Sequence, residues 1–232
     1  MKHLKFAILY LILISSTCGN KDDCAQDFYL PVTITPEKTT YNIGDTITRS
    51  SKFSTYVTGY YYNGGKENRV NEFDMSGIKW QPFTDLFKID TFRGKNLPPF
   101  SNFYPYFNLR IDTIYNYKLI NYSNGSKNLF GEFNFVNDSF QLQFQIIPKI
   151  SGIYMLKVGS LIRSSTVYKQ TYPGDCYNAN INSFDVFFNV NENRNNNFDL
   201  LLESPDSLYN DYFHRSRENF HNLGCYCFKV IN

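Results

Sequence analysis

His214, His221, Cys225 and Cys227 lie close together near the C-terminus and are the first candidates for chemistry. Two imidazoles and two thiolates could hold zinc. The spacing argues against it. Two histidines on one helix share a metal at i and i+4, whereas seven residues span about 10 Å at 1.5 Å per residue. The expected reading is surface histidines and disulfide-bonded cysteines, with no metal or other cofactor. Nucleophilic catalysis has no better footing, because neither a Gly-x-Ser-x-Gly elbow nor a credible cysteine–histidine pair occurs. Paired carboxylates for glycoside hydrolysis leave no local signature, so a carboxylate-dependent hydrolase stays as an alternative without positive support.

Aromatic side chains offer a different kind of site. Leu97 to Phe107 (LPPFSNFYPYF) sets Phe100, Phe103, Tyr104, Tyr106 and Phe107 beside prolines that bar a central strand. On an exposed loop, Phe100, Phe103, Tyr104 and Tyr106 would stack on sugar rings or anchor a protein partner, with Tyr60, Tyr61, Tyr62 and the lone Trp80 joining them. The competing reading is that these rings cap the core, since large aromatics are costly to expose together.

The N-terminus reads as an export signal. Lys2 and Lys5 precede the apolar run Phe6 to Ile14, which is far shorter than the roughly 20 residues that span a bilayer. Ser15-Ser16-Thr17-Cys18 then resembles a bacterial lipobox, loose in the manner of Bacteroidota lipoproteins, with Ser15 in place of the usual leucine and Thr17 in place of Gly or Ala. The resemblance implies cleavage before Cys18 and lipidation of its thiol. Lys21-Asp22-Asp23 resembles the Lys-acidic-acidic surface-export signal of the same lipoproteins, which implies an outer-membrane address facing the cell surface. A lipoprotein cysteine carries at least two acyl chains, enough for stable anchoring without a further membrane-binding surface. The implied organisation is a signal peptide at 1–17, a tether at 18–27 and one body at 28–232.

Net charge is +2 with no basic block, so nucleic acid has no electrostatic footing. With Cys18 lipidated, Cys24, Cys176, Cys225 and Cys227 remain, an even number in an oxidising compartment. Cys225 and Cys227 are assigned to opposite faces of a last strand and hence to separate bridges, one to Cys176 and one to Cys24; free thiols are the alternative.

The 19 Tyr and 22 Phe favour strands over helices. Phe140, Leu142, Phe144 and Ile146 alternate with Gln141, Gln143 and Gln145, which predicts a strand with one buried and one wet face. Further strands are expected at 30–35, 46–57, 85–89, 108–120, 132–136, 153–162, 183–190 and 225–231. One helix is expected, with Ser204 as N-cap, Pro205 in its first turn and Gly224 as its stop. Tyr41-Asn42-Ile43-Gly44-Asp45-Thr46-Ile47 resembles the entry to an early strand of bacterial immunoglobulin-like domains. Gly152-x-Tyr154-x-Leu156 resembles their tyrosine corner, with Leu156 where antibody domains carry a cysteine. The expectation is an all-β, immunoglobulin-like β-sandwich with one helix inserted before its last strand. Asp45-Thr46-Ile47, Asp112-Thr113-Ile114 and Asp206-Ser207-Leu208 also resemble the Bacteroidota O-glycosylation acceptor.

These readings combine into a surface-exposed or outer-membrane lipoprotein that acts as a non-catalytic binding module for a glycan or an envelope protein. A structural accessory subunit of an envelope complex is the nearest alternative.

Overall fold

The computed structural model describes residues 27–63, 66–91, 104–121, 123, 127–162, 185–205 and 217–232. Period-two alternation builds most of it. Along β11 (Ser139–Pro148), Phe140, Leu142, Phe144 and Ile146 are buried, while Gln141, Gln143 and Gln145 face outward. The same rule places Phe28, Leu30, Val32 and Ile34 of β1 (Asp27–Thr35) inside.

One sheet holds eight strands. Its path runs β10 (Asn134–Val136), β11, β3 (Ile47–Ser54), β1, β4 (Tyr56–Asn63) and β5 (Lys66–Asp74). In addition β13 (Asp185–Val190) pairs in parallel with β1, and β7 (Phe107–Ile111) pairs with β11. The second sheet has six strands in the order β2 (Thr40–Asn42), β14 (Cys225–Ile231), β12 (Gly152–Ile162), β6 (Trp80–Lys88), β9 (Lys127–Gly131) and β8 (Tyr117–Asn121). Inner faces of both sheets share one core, in which Phe28, Ile47, Trp80, Leu142, Phe144, Tyr154, Leu156 and Phe228 are buried together. Two sheets closed over one such core form a β-sandwich. The fold is immunoglobulin-like, as the sequence resemblance implied.

Both signature turns form. Gly44 takes φ +89 after the buried Tyr41, and the Asp45 carboxylate accepts the Asn42 N–H at 2.9 Å. Tyr154 is fully buried, and its hydroxyl donates to the Ile150 carbonyl at 2.9 Å, which is a tyrosine corner.

The single strand expected over 108–120 is two strands in different sheets. Asp112 breaks it: its carboxylate accepts the Ile114 N–H at 3.1 Å and its carbonyl accepts the Tyr115 N–H at 3.0 Å. The chain therefore leaves β7, makes the β8–β9 hairpin of the other sheet, and returns as β10 beside β11.

Near the C-terminus two short helices are described, α1 (Phe198–Leu202) and α2 (Arg217–Asn222). Gly224, at φ +64, ends α2 as expected, and its N–H donates to the His221 carbonyl at 2.8 Å. The Ser204 hydroxyl donates to the buried Ile89 carbonyl at 2.6 Å; the helix turn it was expected to start lies outside the described residues. Phe198, Leu200, Leu201 and Phe220 cover the outer side of the second sheet, over Phe87, Ile89, Met155, Cys225 and Cys227.

That packing corrects the cysteine geometry. Residues two apart on a strand share a face. Cys225 and Cys227 both point at the helices, while Tyr226 between them points into the sandwich core. Both thiols are free and wholly buried. Burial pushes the Cys225 thiol up to about 12 and Cys227 well above its ordinary range, so neither is a nucleophile here. Cys24 and Cys176 lie outside the described residues.

Candidate functional site

Cys18, Lys21, Asp22, Asp23, Phe100, Phe103 and His214 also lie outside the described residues. Tyr104 opens a 3-10 turn (Tyr104–Tyr106) that leads into β7. Tyr106 is half-buried against the core, and Phe107 is buried in it. Trp80 corrects the expectation most sharply. It is 1% exposed and packs edge-on against Phe28, Phe53 and Phe140 at centroid distances of 6.2, 5.8 and 6.3 Å. A ligand at the surface does not reach it. His221 is half-buried in α2, with Nδ1 3.4 Å from the Asn196 amide; burial, and then Arg217, hold its pKa below the usual imidazole value. Among the described residues, no three metal-binding side chains converge.

The site that does take shape is the β7–β10 margin of the first sheet. Both strands pair with β11 and, among the described residues, with no other strand. The Lys149 N–H donates to the Tyr106 carbonyl at 2.9 Å, which fixes the phase of the ladder. Asn108 and Arg110 therefore direct their main-chain groups at β11, and Phe107, Leu109 and Ile111 direct theirs outward. In β10 the left-handed Asn137 and Asp138 make a two-residue hairpin turn that closes on the Val136–Ser139 pair. The same alternation leaves the Phe135 N–H and carbonyl facing outward.

Natural sheets blunt a free edge with lysine, proline or inward charge. Asn134-Phe135-Val136 carries none of these, and Phe135 and Val136 are 45% and 39% exposed. Where β7 ends beside β11 lies an open groove of about 310 Å³, lined by Arg110, Ile111, Asp112 and Tyr115 and by Gln143, Phe144 and Gln145. Its single carboxylate, Asp112, does not supply the pair that glycoside hydrolysis needs.

Behind the groove lies a residue that sequence reasoning did not single out. Arg49 on β3 is 0% exposed, and among the described residues its Nε, Nη1 and Nη2 have no hydrogen-bond partner. It pairs in register with Phe144, and its Cζ lies 5.7 Å from the Phe144 ring centroid and 6.0 Å from that of Phe133. Burial lowers its pKa to about 10, still charged at neutral pH. The Tyr117 ring stacks on Phe144 at 5.4 Å, and the Tyr117 hydroxyl sits 2.9 Å from both the Thr84 hydroxyl and the Leu129 carbonyl. A signal for Arg49 was present: counting by two from Ile47 toward Phe53 puts it on the inward face.

A second surface feature is an aromatic row across the other half of the sheet. Half-buried Tyr60, Tyr29 and Phe187, from β4, β1 and β13, follow one another at centroid distances of 5.4 and 5.2 Å.

No protein-family model matches the chain, and no curated protein matches it. Among solved structures, the human F-spondin reeler domain is 12% identical, covering 64% of this chain and 87% of its own, at a TM-score of 0.30. The second type II cohesin module of the ScaA scaffoldin of Acetivibrio cellulolyticus is 10% identical, covering 63% and 81%, at a TM-score of 0.26. At these scores nothing about partners or activity carries over. Among the described residues no helix is long and apolar enough to cross a membrane.

Proposed function

We infer that this chain is a lipid-anchored, non-catalytic interaction module that holds an extended segment of another envelope protein along its β7–β10 edge. The observation that carries the reading is the edge left open among the described residues: outward main-chain groups at Leu109, Ile111 and Phe135, beside exposed Phe135 and Val136. Strand addition uses such groups for affinity and the flanking side-chain pockets for specificity. The groove lined by Arg110, Asp112 and Tyr115 supplies one such pocket. Cys18 would tie the body to the outer membrane, and Lys21-Asp22-Asp23 would send it to the cell surface. An acylated tether leaves the sandwich free to meet a partner without a membrane contact of its own.

A glycan is the second reading, favoured by the Tyr60–Tyr29–Phe187 row, since ring faces stack on sugars. The 97–107 loop, first choice for that role from sequence, contributes Tyr106 and Phe107 to the core instead.

Photo-cross-linking in intact cells of the native host separates the two. A photoreactive residue at Asn108 or Val136 is expected to give one discrete protein adduct, and one at Ile114, exposed on the β7–β8 turn, is expected to give none. No adduct at the edge, together with glycan-array binding that Tyr29→Ala abolishes, would replace the protein partner with a carbohydrate.

A further inference from the structure

An arginine sealed inside a sandwich with its donors unpaired is out of balance. Taking an ion out of water costs several kcal/mol even after relaxation, and the loss is recovered only through a counter-charge and hydrogen bonds. Among the described residues Arg49 has neither: the Phe133 and Phe144 rings flank it, with Tyr117 stacked on Phe144, and no carboxylate bonds to it. The attraction of the ring faces is a partial substitute, worth a fraction of an ion pair. Phe144 is common to the groove lining and to the surroundings of Arg49: it lines the groove beside β7, and its ring lies against the guanidinium.

We propose that Arg49 is an internal receptor for a single carboxylate, which enters from the β7–β11 groove past the Phe144 ring. Three features set the ligand class. The guanidinium fork matches a carboxylate with two parallel N–H···O bonds. One buried positive charge balances one negative charge, so a monoanion fits, and a dianion such as phosphate would leave a charge uncompensated in an apolar wall. The Phe133 and Phe144 rings accept the apolar remainder of a small carboxylate. The carboxylate comes either from a free small acid or from an Asp or Glu side chain of a strand laid on the edge. Binding of a free acid is independent of the strand-addition reading.

The test follows the Arg49 Nε–H resonance of the full chain at neutral pH and fixed ionic strength. Probes are formate, acetate, chloride, a short Thr/Val strand peptide with one central Glu, and the same peptide with Gln. Arg49→Met is the key variant, because replacing a buried charge by an apolar residue of similar volume is neutral or stabilising and keeps the fold. Arg49→Lys retains the charge without the fork. A saturable shift with formate or acetate and not with chloride, weakened about 30-fold or more in Arg49→Met when followed through Phe144, supports the proposal and names a free acid as the source. Response to the Glu peptide alone, with none to its Gln counterpart, supports it and names a partner strand. No response to any carboxylate, or an equal response of Phe144 in the wild type and Arg49→Met, overturns it.

Discussion

Trp80→Ala is expected to lower the free energy of unfolding by about 3–5 kcal/mol, the range for removing a large aromatic from a packed core. Trp80 stands where the two sheets meet: it begins β6 of one sheet and packs on Phe28, Phe53 and Phe140 of the other. Relaxation around the hole is limited, because each of those rings also packs on another: Phe28 on Phe73, Phe53 on Phe133, and Phe140 on both Phe53 and Phe135. Denaturant titration of the purified body measures the loss. A change below about 1 kcal/mol, the scale of an ordinary surface substitution, would mean that the indole is not the keystone of this core and would reopen its role as a ligand contact.

The second large effect is expected at Gly224. Its φ of +64 is left-handed, which costs a residue with a Cβ about 1–2 kcal/mol. A Cβ there would also stand 2.6 Å from the Val158 carbonyl oxygen, a backbone atom that accepts no such approach. Overpacking of that kind adds about 1–3 kcal/mol. Gly224→Ala should therefore destabilise by roughly 2–5 kcal/mol. Gly224→Asn separates the two causes, since Asn tolerates the left-handed region and still carries the Cβ. Equal losses in the two variants assign the effect to the Val158 contact. Full tolerance of Ala would contradict the tight joint between α2 and β14.

How much of this was legible in the sequence depended on how local the signal is. Alternation in 140–146 is a property of one strand, and it survived intact in β11. Gly44, Tyr154 and Gly224 each act within a few residues, and each stands in its expected turn, corner or cap. The 108–120 stretch was misread because Asp112-Thr113 lies inside an apolar pattern that continues across a change of sheet. Only pairing with β11 on one side and β9 on the other reveals the break. The Cys225–Cys227 reading failed on local geometry alone, since i and i+2 share a face. What lies over that face, Phe198, Leu201 and Phe220, comes from segments before β14 and could not be read locally.

The candidate site was less legible than the fold, for a physical reason. A free sheet edge is defined by what does not pair with it, and no residue type announces that. The split of one edge strand into β7 and β10 by an inserted hairpin is a property of topology. The aromatic stretch at 97–107 stands out by composition, yet Tyr106 and Phe107, like Trp80, serve the core.

The central claim, that the edge pairs through its main chain, is tested most directly at Phe135, whose N–H points away from β11. The measurement is the yield of the Asn108 photo-adduct in two variants, Phe135→Pro and Phe135→Ala. Both lose the ring, and only proline loses the outward donor. Loss of one such hydrogen bond, with its partner left unpaired, is worth about 1–3 kcal/mol, or about five-fold to a hundred-fold in binding. The account predicts an adduct largely retained in Phe135→Ala and lost in Phe135→Pro, with both variants folded. An adduct that survives proline, or that falls equally in both, would contradict strand addition at this edge.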